Sequence, residues 1–350
     1  MAALANGSSS VRRGHALRAH NTLALQSRAD AFVAVSSDAE LLAALAWAKA
    51  RRMPVIPLGE GSNVVFAGDV HALVLRQATQ GITLLEVRPN AVLLRVAAGQ
   101  NWHELVRWSL QQGYNGLENL ALIPGTAGAA PIQNIGAYGV ELQSLIACVH
   151  ARRIDDGTAV TLDNQSCEFG YRDSIFKREL SGQLIITAIE ITLSRQAVVN
   201  TDYPALASFF LQHPLLERTP QAVFEAVVSI RRSKLPDPAD EPNAGSFFKN
   251  PVLDSSQARK LVANFPQLPA FPQADGRVKL SAAWMIEYCG WKGFERDRLG
   301  VHPQHALVLV NHGNDSGAQL LDLANEITRS VYEVFAVSLE IEPRVYGASV

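Results

Sequence analysis

Residues 119–139 decide the fold of this chain and read Asn-Leu-Ala-Leu-Ile-Pro-Gly-Thr-Ala-Gly-Ala-Ala-Pro-Ile-Gln-Asn-Ile-Gly-Ala-Tyr-Gly. The four glycines and two prolines interrupt any long helix, while the apolar residues between them argue against a solvated linker. Small side chains let main-chain N–H and C=O groups approach a large flat ligand. The segment therefore predicts contact with a pyrophosphate or an isoalloxazine ring, and the alternative is a glycine-rich core turn.

A second loop lies upstream, between two short apolar stretches. Residues 54–58 (Pro-Val-Ile-Pro-Leu) read as a buried strand, and Gly-Glu-Gly-Ser-Asn (59–63) follows before Val-Val-Phe (64–66). The Gly-x-Gly pattern lacks the third glycine of a dinucleotide-binding fingerprint, and the loop runs from strand to strand instead of opening a helix. We therefore expect a nest of backbone amides, with Ser62 and Asn63 as additional hydrogen-bonding groups.

The composition is that of a folded protein without a bias toward one charge. Of the 350 residues, 48% are hydrophobic and 18% are charged, with 31 basic against 33 acidic residues. This length suits two or three domains, and the charge balance gives no electrostatic reason to expect nucleic acid or a membrane surface as partner. Cys148, Cys167 and Cys289 are far apart and odd in number, so they match neither a disulfide framework nor the ligand spacing of a zinc site. This cysteine content predicts a protein of the reducing cytoplasm.

The N-terminal residues carry Arg12-Arg13, but polar residues follow where a secretion signal needs an apolar core. We therefore expect residues 1–18 to form a flexible tail. No run of the chain approaches the roughly 18 apolar residues of a membrane span.

Hydrophobic periodicity and capping residues predict interspersed strands and helices. Helices are expected over residues 36–52, 102–112, 219–234, 256–265, 281–289 and 316–335. Strands are expected over residues 31–35, 54–58, 73–75, 92–97, 184–193, 306–311 and 338–346, with a hairpin formed by residues 146–154 and 159–162. Leu-Pro-Asp-Pro at residues 235–238 stops a helix and is the best candidate for a domain boundary.

Three side chains are candidates for chemistry, although each also has an ordinary structural interpretation. Ser246 lies in the loop Asn-Ala-Gly-Ser-Phe-Phe-Lys-Asn-Pro and can donate a proton if a site orients it. Arg172 could grip a carboxylate, or merely pair with Asp173 or Glu168. Glu342 belongs to a terminal strand, where its default role is that of an exposed side chain.

The histidines of His302-Pro-Gln-His305 resemble a metal-binding pair. No carboxylate or cysteine completes the set nearby in sequence, so they are interpreted as structural. The sequence therefore predicts no metal site.

Five motifs occur in the order and style of the UDP-N-acetylenolpyruvoylglucosamine reductases, also called UDP-N-acetylmuramate dehydrogenases. They are residues 59–63, 119–139, 171–177, 234–238 and 243–251. The sequences Pro-Ile-Gln-Asn-Ile-Gly-Ala-Tyr-Gly and Ala-Gly-Ser-Phe-Phe-Lys-Asn-Pro are together highly specific to this family, and the resemblance covers nearly the whole chain after the tail. The tyrosine of Asp-Tyr-Pro (202–204) resembles the substrate-diphosphate tyrosine of the first structural type.

The resemblance implies an α+β chain with a vanillyl-alcohol-oxidase or PCMH-type FAD-binding fold and a C-terminal α+β substrate-binding domain. The FAD-binding region is expected over residues 19–195, as two α+β subdomains of about 19–83 and 84–235, the first completed by a terminal strand at 337–350. The substrate-binding domain is expected over residues 236–336.

The resemblance also implies a cytoplasmic, monomeric enzyme of bacterial peptidoglycan precursor synthesis, with non-covalent FAD and with NADPH as co-substrate. It would reduce the enolpyruvyl ether of UDP-N-acetylglucosamine enolpyruvate to the lactyl ether of UDP-N-acetylmuramate, and its partners would be small molecules, not nucleic acid or membrane.

By motif match, the resemblance also assigns individual residues. The catalytic positions are Arg172, Ser246 and Glu342, and the substrate-binding positions are Tyr203, Lys234 and Asn250. The FAD-binding positions are Gly59, Gly61, Ser62, Asn63, Pro124, Gly125, Thr126, Gly128, Ala129, Gln133, Asn134, Gly136, Ala137, Tyr138, Gly139 and Arg344. A neutral serine is a poor acid, so the proton donor is expected to need an adjacent cation such as Lys249, or a water relay.

Two positions depart from the family pattern. Ala129 stands where members often carry a second glycine, but alanine is still small enough for flavin contact. The terminal motif, commonly Leu-Glu-Pro-Glu-Val, reads Leu-Glu-Ile-Glu-Pro at residues 339–343. Strand alternation would place Glu340 and Glu342 on the same face, and Glu342 is favoured because it stands two residues before Arg344, as in the family.

Two other classes of protein remain open at this point. Another flavin oxidoreductase on the same fold, such as an oxidase of small alcohols, would share the N-terminal half but should lack the loop at 243–251. A flavin- or nucleotide-binding regulator would retain the fold without the activity, and the co-occurrence of Arg172, Ser246 and Glu342 argues against it. No Cys or His lies inside the glycine-rich segment, so covalent flavin attachment is not expected.

Overall fold

The computed structural model describes residues 2–3, 10–273 and 275–347, and the chain divides into two compact units. The first unit comprises Met1–His15, Ala29–Glu60 and His71–Ser233, and the second comprises Ala16–Arg28, Gly61–Val70 and Lys234–Val350. Both units mix helices and strands, which confirms the predicted α+β class. The second unit takes two short segments from the stretch 19–83, which the sequence had assigned to a single subdomain.

Two five-stranded sheets form the framework of the first unit. One has the strand order Ala2–Ala3, Ser10–Ala16, Arg28–Val35, Val70–Gln77 and Val55–Leu58. The other is antiparallel and has the order Ala159–Asp163, Ile146–Arg153, Leu184–Ser194, Ala91–Ala97 and Ile82–Val87. A short strand pair joins Gly136–Ala137 to Val140–Glu141. The α-helices are Asp38–Lys49, Trp102–Gln111, Pro204–Gln212 and Pro220–Lys234. Turns of 3₁₀ helix cover Glu118–Leu120, Ala130–Gln133, Leu142–Ser144 and Gln165–Cys167, and a further one, Arg18–His20, belongs to the second unit.

The antiparallel sheet presents two different faces. Leu94, Val149 and Ile189 are fully buried in one apolar core, to which the helix Trp102–Gln111 also contributes. Because successive side chains of a strand point to opposite faces, the residues between them in sequence lie on the other side of the sheet. That side carries polar residues, including Glu190.

The predicted flexible tail over residues 1–18 is wrong from Ser10 onward. Ser10–Ala16 is a strand of the first sheet, Val11 is 1% exposed and Leu17 is fully buried. The strand escaped prediction because Val11 is its only large apolar residue and most of the others are exposed, so it lacks the apolar alternation of a half-buried strand. Residue 1 and residues 4–9 lie outside the described residues.

The second unit is built from small sheets around one long helix. A four-stranded sheet has the order Asn243–Ser246, Val308–Asn311, Leu299–Val301 and Glu295–Arg296, and a three-stranded sheet has the order Val252–Leu253, Val278–Leu280 and Ala270–Pro272. Arg344–Tyr346 pairs in parallel with Val64–Phe66. The helices are Ser255–Asn264, Ala282–Tyr288 and Gly317–Phe335. Their apolar faces share a core with Phe247 and Phe248.

The terminal strand predicted over residues 338–346 is wrong for most of its length. Regular pairing is confined to Arg344–Tyr346, and Ile341 makes an isolated bridge to Phe248. Pro343 has no N–H to donate to a ladder, which explains why continuous pairing stops there. Glu340 and Glu342 therefore do not belong to one regular strand, and strand alternation does not place them on the same face.

The helices begin where capping residues predict. The side-chain oxygens of Ser37, Asn101, Ser281 and Ser316 accept hydrogen bonds from the N–H of the residue three positions later. Among the described residues, no helix combines the length and the apolar character that crossing a membrane requires.

Candidate active site

Within the first unit, the Gly59-Glu60 turn adjoins the glycine-rich segment. Glu60 connects them: Oε1 accepts from Asn101 Nδ2 at 2.8 Å, and Oε2 accepts from the Gly125 N–H at 3.1 Å. A Cβ on Gly59 would lie 2.9 Å from Thr126 Oγ1, so a larger residue here would force the Thr126 side chain or the backbone to shift. The sequence had not identified Glu60 as the connection.

Backbone contacts hold the glycine-rich segment against the end of the strand Ala91–Ala97 in the antiparallel sheet. The Gly128 N–H donates to Ala98 O at 2.8 Å, and a Cβ on Gly128 would lie 2.5 Å from the Ala98 Cβ. The Trp102 N–H donates to Gly125 O at 3.0 Å. Gly125 has φ +120° and Gly139 has φ +83°, conformations that disfavour other residues. Part of the glycine content is therefore required by close backbone packing.

The second half of the segment is shaped by Asn134. Its Nδ2 donates to Glu141 Oε2 and to Gly170 O, both at 3.0 Å, and its Oδ1 accepts from the Gln143 N–H at 2.9 Å. Asn134 has φ +42°, which this amide tolerates better than most side chains. Its side chain thus fixes the loop from within, while Gln133 ends the 3₁₀ turn Ala130–Gln133 just before it.

Tyr138 and Tyr203 are brought together in the first unit. Their ring centroids are 5.3 Å apart with the planes at 74°, an edge-to-face contact. Asn119 Nδ2 holds the two segments by donating to Tyr138 O at 2.8 Å and to Asn200 O at 2.9 Å. Tyr203 is 45% exposed and directly precedes the helix Pro204–Gln212. Sequence reasoning predicted both tyrosines but not their contact.

Arg172 has a left-handed backbone conformation, with φ +53°, and lies in the first unit. The carboxylates that the sequence offered as alternative partners, Glu168 and Asp173, both pair with Arg178. The pKa of Arg231 is lowered by burial and by the nearby Arg172 cation, with Tyr138 acting in the opposite direction.

Arg231 was missed from the sequence, where it is one of several basic residues near the end of a helix. Its Nε donates to Leu122 O at 3.2 Å, near the start of the glycine-rich segment. The positive field of two guanidinium groups in this part of the first unit suits an anionic ligand.

In the second unit, the residues of the 61–63 loop lie beside the terminal segment. Gly61 has φ +70°, and a Cβ there would lie 2.0 Å from His20 O. The Arg344 N–H donates to Asn63 O at 3.1 Å, and Asn63 Nδ2 donates to Glu342 O at 3.5 Å. Three of the predicted site residues, Asn63, Glu342 and Arg344, therefore meet here, next to the half-buried Ser62 in sequence.

Ser246 ends a strand, Asn243–Ser246, and does not lie in an irregular loop as predicted. It pairs with Val308, and the aromatic residues after it are buried in the core, which explains the ordered backbone. The Glu342 N–H donates to Phe247 O at 2.8 Å, and Glu342 is 9% exposed. The structure thus brings the Ser246 segment and the Glu342 segment side by side.

The two candidate glutamates have different environments. Glu340 Oε1 contacts Lys249 Nζ, and the Glu340 side chain is 68% exposed. The Lys249 cation, expected to assist Ser246, is thus paired with this carboxylate. Glu342 is the buried carboxylate of the terminal segment, and this burial is a second difference from Glu340 beside its spacing from Arg344.

The remaining substrate-binding candidates, Lys234 and Asn250, lie in the second unit. Lys234 is the exposed last residue of the helix Pro220–Lys234, and its charge, after burial, lowers the pKa of His305. Asn250 Oδ1 accepts from the Ala282 N–H at 3.0 Å, so this side chain fixes the start of the helix Ala282–Tyr288.

One group of potential metal ligands was missed. In the described part of the chain, Cys148, His150 and Glu190 of the first unit place their ligand atoms within 4.8 Å of one another. The sequence did not predict this group, because Glu190 is 40 residues from His150 in sequence and reaches it only through the pairing of their two strands.

The fold and these loops define a class, the FAD-binding oxidoreductases. A model of the FAD binding domain matches residues 29–163, which confirms the predicted cofactor. The first unit fits FAD, because an isoalloxazine ring and a pyrophosphate need small residues and cationic groups beside them. The glycine-rich backbone supplies the small residues, and Arg172 and Arg231 supply two guanidinium groups.

The comparisons then specify the family. A model of the UDP-N-acetylenolpyruvoylglucosamine reductase C-terminal domain matches residues 237–346. The reductases of that name from Chromobacterium violaceum and Pseudomonas aeruginosa are 47% and 46% identical to this chain, each alignment covering 94% of the chain and 97% of the relative. The crystal structure of the Thermus caldophilus reductase has a TM-score of 0.65 at 23% identity, covering 97% of this chain and 98% of its own. The chain belongs to the UDP-N-acetylenolpyruvoylglucosamine reductase family and is a flavin-dependent enzyme.

Proposed function

We propose that the chain reduces UDP-N-acetylglucosamine enolpyruvate to UDP-N-acetylmuramate, with NADPH as the reductant, in peptidoglycan precursor synthesis. The reductase name of its relatives and their sequence identity to this chain support the reaction. The observation that carries the proposal is the Glu342 N–H to Phe247 O hydrogen bond, because it places a buried carboxylate beside the segment of the proton-donating serine.

FAD, when bound, supplies the hydride that adds to the terminal carbon of the enol ether. Negative charge then develops on the neighbouring carbon and on the carboxylate attached to it. Arg172 binds and stabilises this charge, an electrostatic contribution of about 2.7–4 kcal/mol when one such donor is removed from other enzymes. Glu342, in its protonated form, is assigned a hydrogen bond that it donates to the substrate carboxylate, and its burial strengthens that interaction.

Ser246 completes the reaction by donating a proton to the carbon that has become negative. The oxygen of serine then needs a proton in return. Since Lys249 is paired with Glu340, we assign this return step to a water molecule. This assignment replaces the direct role expected for Lys249.

The diphosphate of the substrate is assigned to Tyr203 and Lys234, with Asn250 supporting the site. Tyr203 suits this role because its side chain is exposed while Tyr138 packs against its ring. The hydroxyl can therefore reach a phosphate oxygen. Asn250 contributes by fixing the helix Ala282–Tyr288.

We further propose that the protein works in the cytoplasm as a monomer on small molecules alone. Its formal net charge of −2 gives no attraction for nucleic acid or for an anionic membrane surface.

Anaerobic absorption spectroscopy of the purified protein tests the proposal. The flavin band should be bleached by NADPH and restored in full by one equivalent of UDP-N-acetylglucosamine enolpyruvate, with UDP-N-acetylmuramate as the product by mass spectrometry. Bleaching without restoration would exclude this substrate. Restoration by oxygen or by small carbonyl compounds at the same rate would favour another flavin oxidoreductase.

A further inference from the structure

The outer face of the antiparallel sheet in the first unit carries a compact group of ligand-type side chains. The strands Ile146–Arg153 and Leu184–Ser194 are paired so that Cys148 lies opposite Glu190. Cys148 Sγ is 3.5 Å from His150 Nε2, which in turn is 2.8 Å from Glu190 Oε1. A thiol, an imidazole and a carboxylate thus face one another on a rigid, doubly paired part of the sheet.

This group is accessible to a small solute. Val149 and Ile189 point into the core, so their neighbours in sequence point to the outer face. The side chains of His150 and Glu190 are 24% and 12% exposed. The group is therefore only partly covered on this side, where a metal ion could enter and retain a water molecule.

The imidazole is oriented by a further partner. His150 Nδ1 is 3.1 Å from Thr161 Oγ1, on the paired strand Ala159–Asp163. With Nδ1–H donated to this hydroxyl, Nε2 can direct its lone pair toward Cys148 and Glu190. Metal-ligating histidines generally use their second nitrogen in this way, because the contact fixes the tautomer and the ring orientation.

We propose that Cys148, His150 and Glu190 form a binding site for one Zn²⁺ ion, with water as the fourth ligand. Thiolate, imidazole and carboxylate are the ligands that Zn²⁺ takes in proteins, and three protein ligands plus water complete a tetrahedron. The thiolate favours Zn²⁺ over Mg²⁺ or Ca²⁺, which prefer oxygen ligands.

The surrounding charges define what changes on binding. Arg95 donates to Glu190 Oε1 from Nε at 3.0 Å and from Nη2 at 2.7 Å, and Asp163 lies opposite Cys148 in the strand pairing. In the metal-free protein the Arg95 cation balances the Glu190 carboxylate. On binding, the Zn–S bond forms as the S–H bond breaks, the thiol proton passes to water, and the half-exposed Arg95 side chain moves away from the carboxylate.

Metal titration of the FAD-loaded, tag-free protein tests the site after treatment with a chelator. Isothermal titration with Zn²⁺ should give one binding event per chain, with proton release. Titration with Co²⁺ should give the d–d absorption bands of a tetrahedral thiolate complex, at longer wavelengths than the flavin bands. Cys148→Ser and Glu190→Gln should each weaken binding by at least about tenfold and Cys148→Ser should abolish the thiolate spectrum.

Cys289→Ser is the matched control, because Cys289 is also a half-buried cysteine with no disulfide but lies in the second unit. It should leave both titrations unchanged, and Arg95→Gln should retain or strengthen binding. Far-ultraviolet circular dichroism and FAD content check that each variant is folded. The proposal is overturned if the wild-type protein shows no saturable binding, or if Cys148→Ser binds with the affinity and spectrum of the wild type.

Discussion

The backbone N–H of Glu342 donates to the carbonyl oxygen of Phe247 at 2.8 Å, so the terminal carboxylate segment is attached to the residue that directly follows Ser246. A second contact, the bridge between Ile341 and Phe248, extends this attachment by one residue on each side. Two candidate catalytic groups separated by almost a hundred residues in sequence are thereby held in one compact unit. Their relationship yields predictions that sequence motifs alone do not.

The two glutamates of the terminal motif should differ in function. Glu342→Gln should slow reoxidation of the reduced flavin by the enolpyruvyl substrate about 10²–10³-fold. The reason is that the buried side chain proposed to hydrogen-bond to the substrate carboxylate, where negative charge develops, is replaced. Glu340→Gln, at the exposed side chain that pairs with Lys249, should stay close to the wild-type rate. Stopped-flow measurement of both variants decides between them. A larger loss in Glu340→Gln would reverse the assignment.

Tyr203→Phe should weaken substrate binding about 10- to 100-fold, the range for losing a hydrogen bond to a charged group. The ring contact with Tyr138 survives this change, so the protein should fold and be reduced by NADPH at the normal rate. Substrate titration of the oxidised enzyme measures the affinity. Tyr332→Phe, at another exposed tyrosine, serves as the control. An unaltered dissociation constant in Tyr203→Phe would remove this residue from the site.

Gly61→Ala should destabilise the second unit by more than the strain of a left-handed alanine, because the added Cβ would also clash with the backbone. Gly61 and Gly182 have nearly the same φ, +70° and +72°, but a Cβ at Gly61 would lie 2.0 Å from His20 O while a Cβ at Gly182 meets nothing within 4 Å. Gly182→Ala should therefore cost about 1–2 kcal/mol, the usual strain of a left-handed residue. Thermal unfolding and FAD content measure both effects. Equal losses in the two variants would show that the contact with His20 is not limiting.

His103 should make the first unit less stable in mild acid. Burial, followed by the charge of Arg107, lowers the pKa of His103, and its Nδ1 accepts from the Leu122 N–H at 3.0 Å. The neutral ring is thus the stabilising form: its contribution is complete above the unfolded pKa of about 6.5 and is lost as the pH falls through the lower folded-state pKa.

The free energy of unfolding should therefore fall more in wild type than in His103→Gln between about pH 7.5 and 5.5. Denaturant unfolding at the two pH values provides the comparison. Parallel losses in both proteins would show that other groups cause the acid sensitivity.

The sequence predicted the elements that depend on neighbours along the chain. Helix starts followed from Ser37 and Ser281, and the hairpin followed from two alternating runs around a turn. The family and its FAD cofactor likewise followed from local motifs. Contacts made by tertiary pairing could not be predicted in this way, because local spacing does not contain them. Lys249 with Glu340 is one such pair.

The remaining misses have the same physical origin. Arg231 is distinguished from the other basic residues by its burial near Arg172, which only the folded chain shows. Ser10–Ala16 is a strand because Arg28–Val35 pairs with it, not because its own residues alternate. Pro343 indicates that the terminal strand is not continuous, since proline has no N–H to donate to a hydrogen bond between strands. The division of residues 19–83 between two units depends on the Val64–Phe66 pairing with Arg344–Tyr346, which links opposite ends of the chain.

Comparing the two half-reactions in Ser246→Ala tests the account most directly. Reduction of the flavin by NADPH should proceed at the wild-type rate, because that step needs no proton at the substrate carbon. Reoxidation by UDP-N-acetylglucosamine enolpyruvate should slow about 10²–10⁴-fold, the usual loss when a general acid is removed. Ser256→Ala, at an exposed helical serine, should be unchanged in both. If Ser246→Ala reoxidises at the wild-type rate, the serine is not the proton donor and the proposed chemistry of the Ser246 and Glu342 segments is contradicted.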